Sequence, residues 1–253
     1  MEGRLTGVRV FVPRSRLTAP HQLLTAEDRN YLFKVHRLRA GDAFEIFDGE
    51  GGRHDAVVDA GLKSATLGKA RTVRVSPSVA LELWQGVPKG EKLDLVIQKA
   101  TELGVTRLVP LASQTAVRKL AADRLPKQLQ RFRRIAEQAA RQCGRADVPE
   151  VAAPRSFEDF LARSQERVLA AVVYEGEGQQ PLWRFLTTRI STAIPPMTVA
   201  LAIGPEGGFT PHEVDRAREA GVPLVSMGSR ILRTETAAIA ACALVQAASG
   251  GFD

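Results

Sequence analysis

The sequence predicts an α/β protein in which a helix-flanked parallel sheet follows a small β-rich domain. Three observations carry this expectation. Residues 1–75 hold short strand-like runs punctuated by turn residues. Beyond Val79, apolar strands alternate with amphipathic helices. The later runs Val168–Tyr174 and Val199–Ile203 are apolar at nearly every position, as in strands covered on both faces.

In the first region Val8–Val12 and Ala43–Phe47 are strand candidates, and Asp48-Gly49-Glu50-Gly51-Gly52 supplies a turn before the strand at Ala56–Val58. Thr25-Ala26-Glu27-Asp28 has the pattern of a capped helix start, with Tyr31, Leu32 and Val35 expected to point inward. Ser76-Pro77-Ser78 is the expected boundary, giving domains 1–75 and 76–253.

In the second region Val79–Leu83 reads as a strand. Glu91–Leu103 reads as a helix with Leu93, Val96, Ile97, Ala100 and Leu103 on one face, stopped by Gly104, and Val105–Leu111 as the next strand. Val199–Ile203 leads into Gly204-Pro205-Glu206-Gly207-Gly208-Phe209. Thr210 then caps a helix, with Pro211 at its first position and Glu213 completing a capping box. That helix ends at Gly221, and Val222–Met227 is the next strand. A second loop, Gly228–Glu235, enters an Ala-rich helix expected from Thr236 to Ala248. Two loops following the C-terminal ends of neighbouring parallel strands are where ligands bind in open α/β sheets. Neither loop is GxGxxG or GxxxxGK[ST], which disfavours a dinucleotide or nucleoside-triphosphate phosphate site.

Charge narrows the partner. The 253 residues carry a net charge of +7, as expected for a protein with a polyanionic partner. Nine Lys or Arg face two acids between Thr115 and Arg145. Lys127, Arg131, Arg134, Gln138, Arg141 and Arg145 recur at steps of four and three, which places them along one side of a helix. Leu125, Leu129, Phe132, Ile135 or Ala136, and Ala139 fall on the other side. Such a stripe suits an RNA backbone; a solvated helix face is the plain alternative. In the first region Arg9, Arg14, Arg16, His36, Arg37 and Arg39 are further candidates for RNA contact. The two cysteines, Cys143 and Cys242, lack CxxC spacing, and the four histidines are scattered, so no disulfide framework or metal site is expected. Met1-Glu2-Gly3-Arg4-Leu5 lacks a signal-peptide core, and no apolar run reaches the roughly 20 residues needed to span a bilayer, so the expected location is the cytoplasm.

Four ordered motifs then carry a specific resemblance: Gln98–Val105, Gln142-Cys143-Gly144-Arg145, Leu201–Phe209 and Met227–Ala237. Together they resemble the signature of the RsmE-type 16S rRNA (uracil-N3)-methyltransferases over nearly the whole chain. The resemblance implies a SPOUT-type catalytic domain with a deep trefoil knot, an N-terminal PUA-like barrel, a homodimer and S-adenosylmethionine as cofactor. It also implies that Leu201, Gly204, Pro205, Glu206, Gly207, Met227, Gly228, Ile231, Leu232, Arg233 and Thr234 hold that cofactor. The chain departs from the pattern at Gln114-Thr115, where many relatives have Glu-Arg, and at Arg141, where a Glu is usual; Arg118 or Arg141 is the candidate substitute.

The implied chemistry assigns candidate catalytic residues. Uracil N3 carries a proton near neutral pH and becomes a good nucleophile only when that proton leaves. It also lies on the pairing edge, so the uridine must be unpaired or flipped outward. Arg233, with Arg230, is the candidate for stabilising the developing anion, and Glu206 or Glu235 for accepting the proton. Rival expectations are an RNA-binding protein of similar build without catalysis, a methyltransferase of the same fold acting on another nucleotide or on tRNA, and an enzyme of a small phosphorylated metabolite.

Overall fold

The computed structural model describes residues 7–72, 79–113, 115, 124–176, 179–191 and 196–252. The expected boundary at Ser76–Ser78, the family departure at Gln114 and the candidate substitute Arg118 lie outside the described residues. Two compact units are present: Met1–Val75 with Ala140–Val148, and Ser76–Ala139 with Pro149–Asp253.

The first unit is built on strands β1 (Arg9–Phe11), β2 (His21–Leu23), β3 (Ala43–Phe47), β4 (Gly52–Val58) and β5 (Ser64–Thr72), in the order β1-β3-β4-β5-β2. β1 pairs with β3 in parallel and the other pairs are antiparallel. The turn from β3 to β4 is held by Asp48, whose Oδ1 accepts from the amides of Glu50 and Gly52, both at 2.8 Å. Helix α1 (Ala26–Arg29) starts with the expected capping box, Thr25 Oγ1 accepting from the Asp28 amide at 3.1 Å and Asp28 returning the bond to Thr25. It then widens into a π-helical stretch, Asn30–Val35. The wider turn breaks the 3.6-residue phase, and with it the expectation for Val35. Leu32 is fully buried and Tyr31 half-buried, but Val35 is 61% exposed.

Later residues complete this unit. Ala140 and Ala146 pack on Phe47, with Phe11 and Val148 alongside. Carbonyls at and just beyond the C-terminus of the helix Leu125–Cys143 are taken up by two arginines. Arg9 donates to the carbonyls of Ala140, Arg141 and Arg145, and Arg53 to that of Gly144 at 2.8 Å. Cations at a helix C-terminus satisfy its orphan carbonyls and oppose its dipole.

The second unit contains β6 (Val79–Gly86), α2 (Lys92–Glu102), β7 (Arg107–Ala112), most of α3 (Leu125–Cys143), β8 (Glu150–Val151), β9 (Arg155–Ser156), α4 (Phe157–Ser164), β10 (Val168–Val173), β11 (Gln180–Pro181), α5 (Leu182–Ile190), β12 (Met197–Ile203), α6 (Pro211–Glu219), β13 (Leu224–Ser226) and α7 (Thr234–Ser249). Its sheet runs β11-β13-β10-β12-β6-β7-β8, and every pair in it is parallel. The central strands are buried on both faces, as their apolar runs predict: Val199 to Ala202 are fully enclosed. On one face Phe157, Phe160, Trp84 and Val214 form the core. α7 packs against α2 and α5, which fits its many alanines: small side chains let helices approach closely.

One expectation fails here. β12 and β13 are not neighbours, because β10 lies between them. Sequence order hides this crossover, since the chain reaches β10 before either of them. The Ala-rich helix also begins at Thr234, two residues before its expected start.

Candidate active site

The C-terminal ends of β10, β12 and β13 open onto a cavity of about 470 Å3. The loop after β12 turns sharply, the Gly208 amide donating to the Pro205 carbonyl at 2.9 Å with Gly208 at φ +67°. It folds back onto the end of β6, where a Cβ on Gly86 would lie 2.4 Å from the Pro205 nitrogen. Only glycine allows that approach. Gly228, at φ +102°, starts the second loop in a conformation that side chains resist.

Of the residues the resemblance implies for the cofactor, Gly204, Pro205, Glu206, Gly207, Met227, Gly228, Ile231, Leu232, Arg233 and Thr234 all line this cavity. Leu201 does not; it is fully buried within β12, two residues before the lining Ile203. Arg230 and Arg233 line the cavity and are solvent-exposed. Glu235 stands outside the lining, in the first turn of α7, but its Oε2 is 3.5 Å from the Lys92 Nζ, which does line it. Ile231 is 82% exposed, an apolar side chain left uncovered at the rim.

Several residues escaped sequence reasoning. Val173, Tyr174 and Glu175 join the site because β10 sits between the two loop-bearing strands. Gln85, fully buried at the end of β6, donates to Thr234 Oγ1 at 2.8 Å, and Thr234 donates to the Gly204 carbonyl at 2.5 Å. This relay joins β6, the loop after β12 and the start of α7 beneath the cavity. Thr115 has a position in the same framework: its hydroxyl donates to the Gly208 carbonyl at 2.5 Å and lies 3.0 Å from Ser113 Oγ, which in turn bonds Glu213. Glu213 also accepts from the Thr210 amide at 2.8 Å in the expected capping box. No motif spacing marks Gln85, Ser113 or Thr115; only the folded loops bring them together.

The electrostatics centre on Lys92. Its ammonium lies 2.9 Å from Glu206 Oε1, and the Glu206 carboxylate also accepts from the Lys89 amide at 3.1 and 3.3 Å. Burial alone would raise the Glu206 carboxyl. The hydrogen bond from Lys92, those from the Glu206 and Lys89 amides and the charge of Lys92 outweigh it and hold the group below the usual carboxylate range. The hydrogen bond to Glu206, set against desolvation and joined by the charges of Glu206 and Glu235, raises the Lys92 ammonium. Glu206 is thus a firmly ionised anion and a weak base. Cys242 is no nucleophile: burial pushes its thiol up to about 12, so it stays protonated.

The candidate RNA residues divide. Arg9 is 12% exposed, and besides its carbonyl partners it donates to Glu45 at 2.7 Å and lies over the Phe47 ring. Its donors are spent inside the first unit, which corrects its expected place on an RNA-facing surface. Arg145, 13% exposed, is likewise turned to Asp147. Arg131 pairs with Asp94 and Glu91, and Arg141 stacks on Tyr31 with its guanidinium 3.9 Å from the ring centroid. Arg16, Arg37, Arg134 and Lys127 are exposed, as is Arg14, 3.5 Å from Glu50. The first unit also bears a cleft, missed in the sequence, that brings Arg29 and Lys34 together with Lys63 around the half-buried Phe33. On α3 the expected apolar face is largely observed, with Phe132, Ala136 and Ala139 buried. Among the described residues no three His, Cys, Asp or Glu side chains group as a metal would need, and no helix is long and apolar enough to cross a membrane.

Comparison with known proteins agrees with this arrangement. Residues 75–246 match the family of RNA methyltransferase domains, and residues 24–68 the family of RNA methyltransferase PUA domains. The ribosomal RNA small subunit methyltransferase E of Bacillus subtilis is 30% identical over 90% of this chain and 90% of its own. A Legionella pneumophila methyltransferase, solved in complex with the bound cofactor SAM, is 30% identical with a TM-score of 0.82, covering 97% of this chain and 98% of that one. The ribosomal RNA small subunit methyltransferase E of Neisseria gonorrhoeae, bound to S-adenosyl methionine, is 27% identical with a TM-score of 0.79 over 95% of this chain and 97% of that one. With its parallel sheet, its glycine-lined cavity and a PUA-type N-terminal region, the chain belongs to the family of RNA methyltransferases whose curated members are named ribosomal RNA small subunit methyltransferase E.

Proposed function

We propose that this protein transfers a methyl group from S-adenosylmethionine to N3 of a uridine in 16S ribosomal RNA of the small ribosomal subunit. The observation that carries this reading is the cavity itself, which gathers at three parallel strand ends nearly all the residues the family motifs assign to the cofactor. Its volume of about 470 Å3 fits a ligand of nucleoside size, and the lack of a Cβ at Gly86 and Gly204 lets the loop after β12 pack backbone to backbone at its edge. Gly204, Pro205, Glu206, Gly207, Met227, Gly228, Ile231, Leu232, Arg233 and Thr234 hold the cofactor, with Leu201 supporting them from within β12. When bound, the cofactor supplies an electrophilic methyl on a positively charged sulfur.

The chain's own residues do the rest. Arg233 and Arg230 face the cavity and stabilise negative charge that develops on the uracil oxygens as N3 loses its proton. Glu206, tied to Lys92 and Lys89, is poorly suited to take that proton. Glu235, whose Oε2 lies 3.5 Å from the Lys92 ammonium and is held less tightly than Glu206, or solvent receives it. RNA is held by exposed cations: Arg14, Arg16 and Arg37 with the Arg29–Lys34–Lys63 cleft in the first unit, and Lys127 and Arg134 on α3. Residues 1–75 serve as the PUA-like RNA-binding domain and 76–253 as a trefoil-knotted SPOUT methyltransferase domain. The enzyme works as a homodimer in the cytoplasm, without a metal.

Mass mapping of small-subunit rRNA from cells lacking the protein tests the assignment. One methylated uridine should vanish and return with wild-type protein, but not with Arg233→Ala. An unchanged methylation map would overturn it.

A further inference from the structure

We propose that Lys92 is a positioning residue for the cofactor cavity, a clamp that joins the loop after β12 to the first turn of α7 by pairing with Glu206 and Glu235 together. The two carboxylates come from segments that each carry residues assigned to the cofactor, and the ammonium reaches both, at 2.9 Å and 3.5 Å. The three side chains are 34%, 28% and 13% exposed, so solvent only partly screens them. Glu206 accepts a second contact from the Lys89 amide just before α2, and no side chain caps that helix otherwise. Its carboxylate is therefore tied to α2, and Lys92 carries that fixed point across to α7.

Other charges line the same cavity or neighbour the cluster along the chain. Arg233 precedes Glu235 at the start of α7, Arg230 lies in the loop after β13, Glu175 in the loop after β10, and Glu91 beside Lys92. Among the described residues Lys92 alone pairs with both carboxylates. Without it, two like charges share a partly buried corner, and one of them takes up a proton more readily. This inference rests on the proposed function only in naming the ligand.

The test uses Lys92→Met, Lys92→Arg and the double variant Lys92→Met/Glu206→Gln in the full chain. Calorimetry with S-adenosylmethionine should show about tenfold weaker binding for Lys92→Met and recovery to within about threefold for Lys92→Arg. Melting temperatures without ligand give an independent readout. In wild-type protein the lowered Glu206 carboxyl adds stability above its unfolded-state value of 4.5, lost only as pH falls through its folded value. In Lys92→Met one carboxyl is raised instead, so the deficit against wild type should be largest near about pH 8 and shrink toward about pH 5. Glu206→Gln in that background should abolish the pH dependence. A folded Lys92→Met with wild-type affinity, or a deficit independent of pH, overturns the clamp. Should Lys92→Met fail to fold, Glu206→Gln alone removes the loop's half of the clamp and must weaken binding by itself. If wild-type protein binds no S-adenosylmethionine, the proposed function falls, while the melting series still decides the clamp.

Discussion

Two pairs of arginines, one pair in each unit, are used in opposite ways. In the first, Arg9 and Arg53 turn inward, ending on helix-terminal carbonyls and on Glu45. In the second, Arg230 and Arg233 stay exposed on the wall of a cavity. The residue type is the same, and the difference lies in what the backbone offers nearby. A helix C-terminus presents unpaired carbonyls that a guanidinium fork satisfies, whereas a helix N-terminus, where Arg233 caps α7, has no carbonyls to give. An arginine there remains available to a ligand.

Substitutions at these arginines sharpen the contrast. The largest effect is expected at Arg233: Arg233→Ala should lower single-turnover methyl transfer roughly 10²-fold or more, with the fold intact by circular dichroism. Unchanged transfer would remove Arg233 from the mechanism. In the first unit the effect should fall on stability. Arg9→Ala removes the hydrogen-bonded partner of Glu45, leaving it only the longer contact with Arg53, and strips several carbonyls of theirs, so it should cost about 3 kcal/mol in urea denaturation. Exposed Arg16→Ala should stay within about 0.5 kcal/mol. Equal effects at both positions would erase the distinction.

The cavity side of the comparison can be strained through its backbone. Gly86→Ala puts a methyl group 2.4 Å from the Pro205 nitrogen, so the loop must shift, and cofactor affinity should drop about tenfold by calorimetry. A smaller effect than at Arg9 belongs to the capping box of α6. Thr210→Ala removes the acceptor for the Glu213 amide and should lower thermal stability by about 1 kcal/mol.

Much of the second unit was legible because its signals are local. The capping box at Thr210–Glu213, the stop at Gly104 and the apolar runs of β10 and β12 each lie within a few consecutive residues. The glycine loops were legible for the same reason, and the cavity gathers them. Long-range features were hidden. Strand order decides that Tyr174 and Glu175 reach the site, and strand order is set by crossovers that no periodicity records. Gln85, Thr115 and Lys92 act through partners distant in the chain. Val35 misled because a π-helical turn changes the phase on which amphipathic patterns rely. Arg9 and Arg145 misled because positive charge alone does not tell a phosphate partner from a carbonyl or carboxylate inside the protein.

Isothermal titration of S-adenosylmethionine and its demethylated product into the full-length protein tests the central claim most directly. Saturable binding of one ligand per chain, weakened by Gly86→Ala and preserved in Arg16→Ala, is the predicted result. A well-folded protein that takes up neither compound, with or without ribosomal RNA, would contradict the assignment of the cavity and the activity built on it.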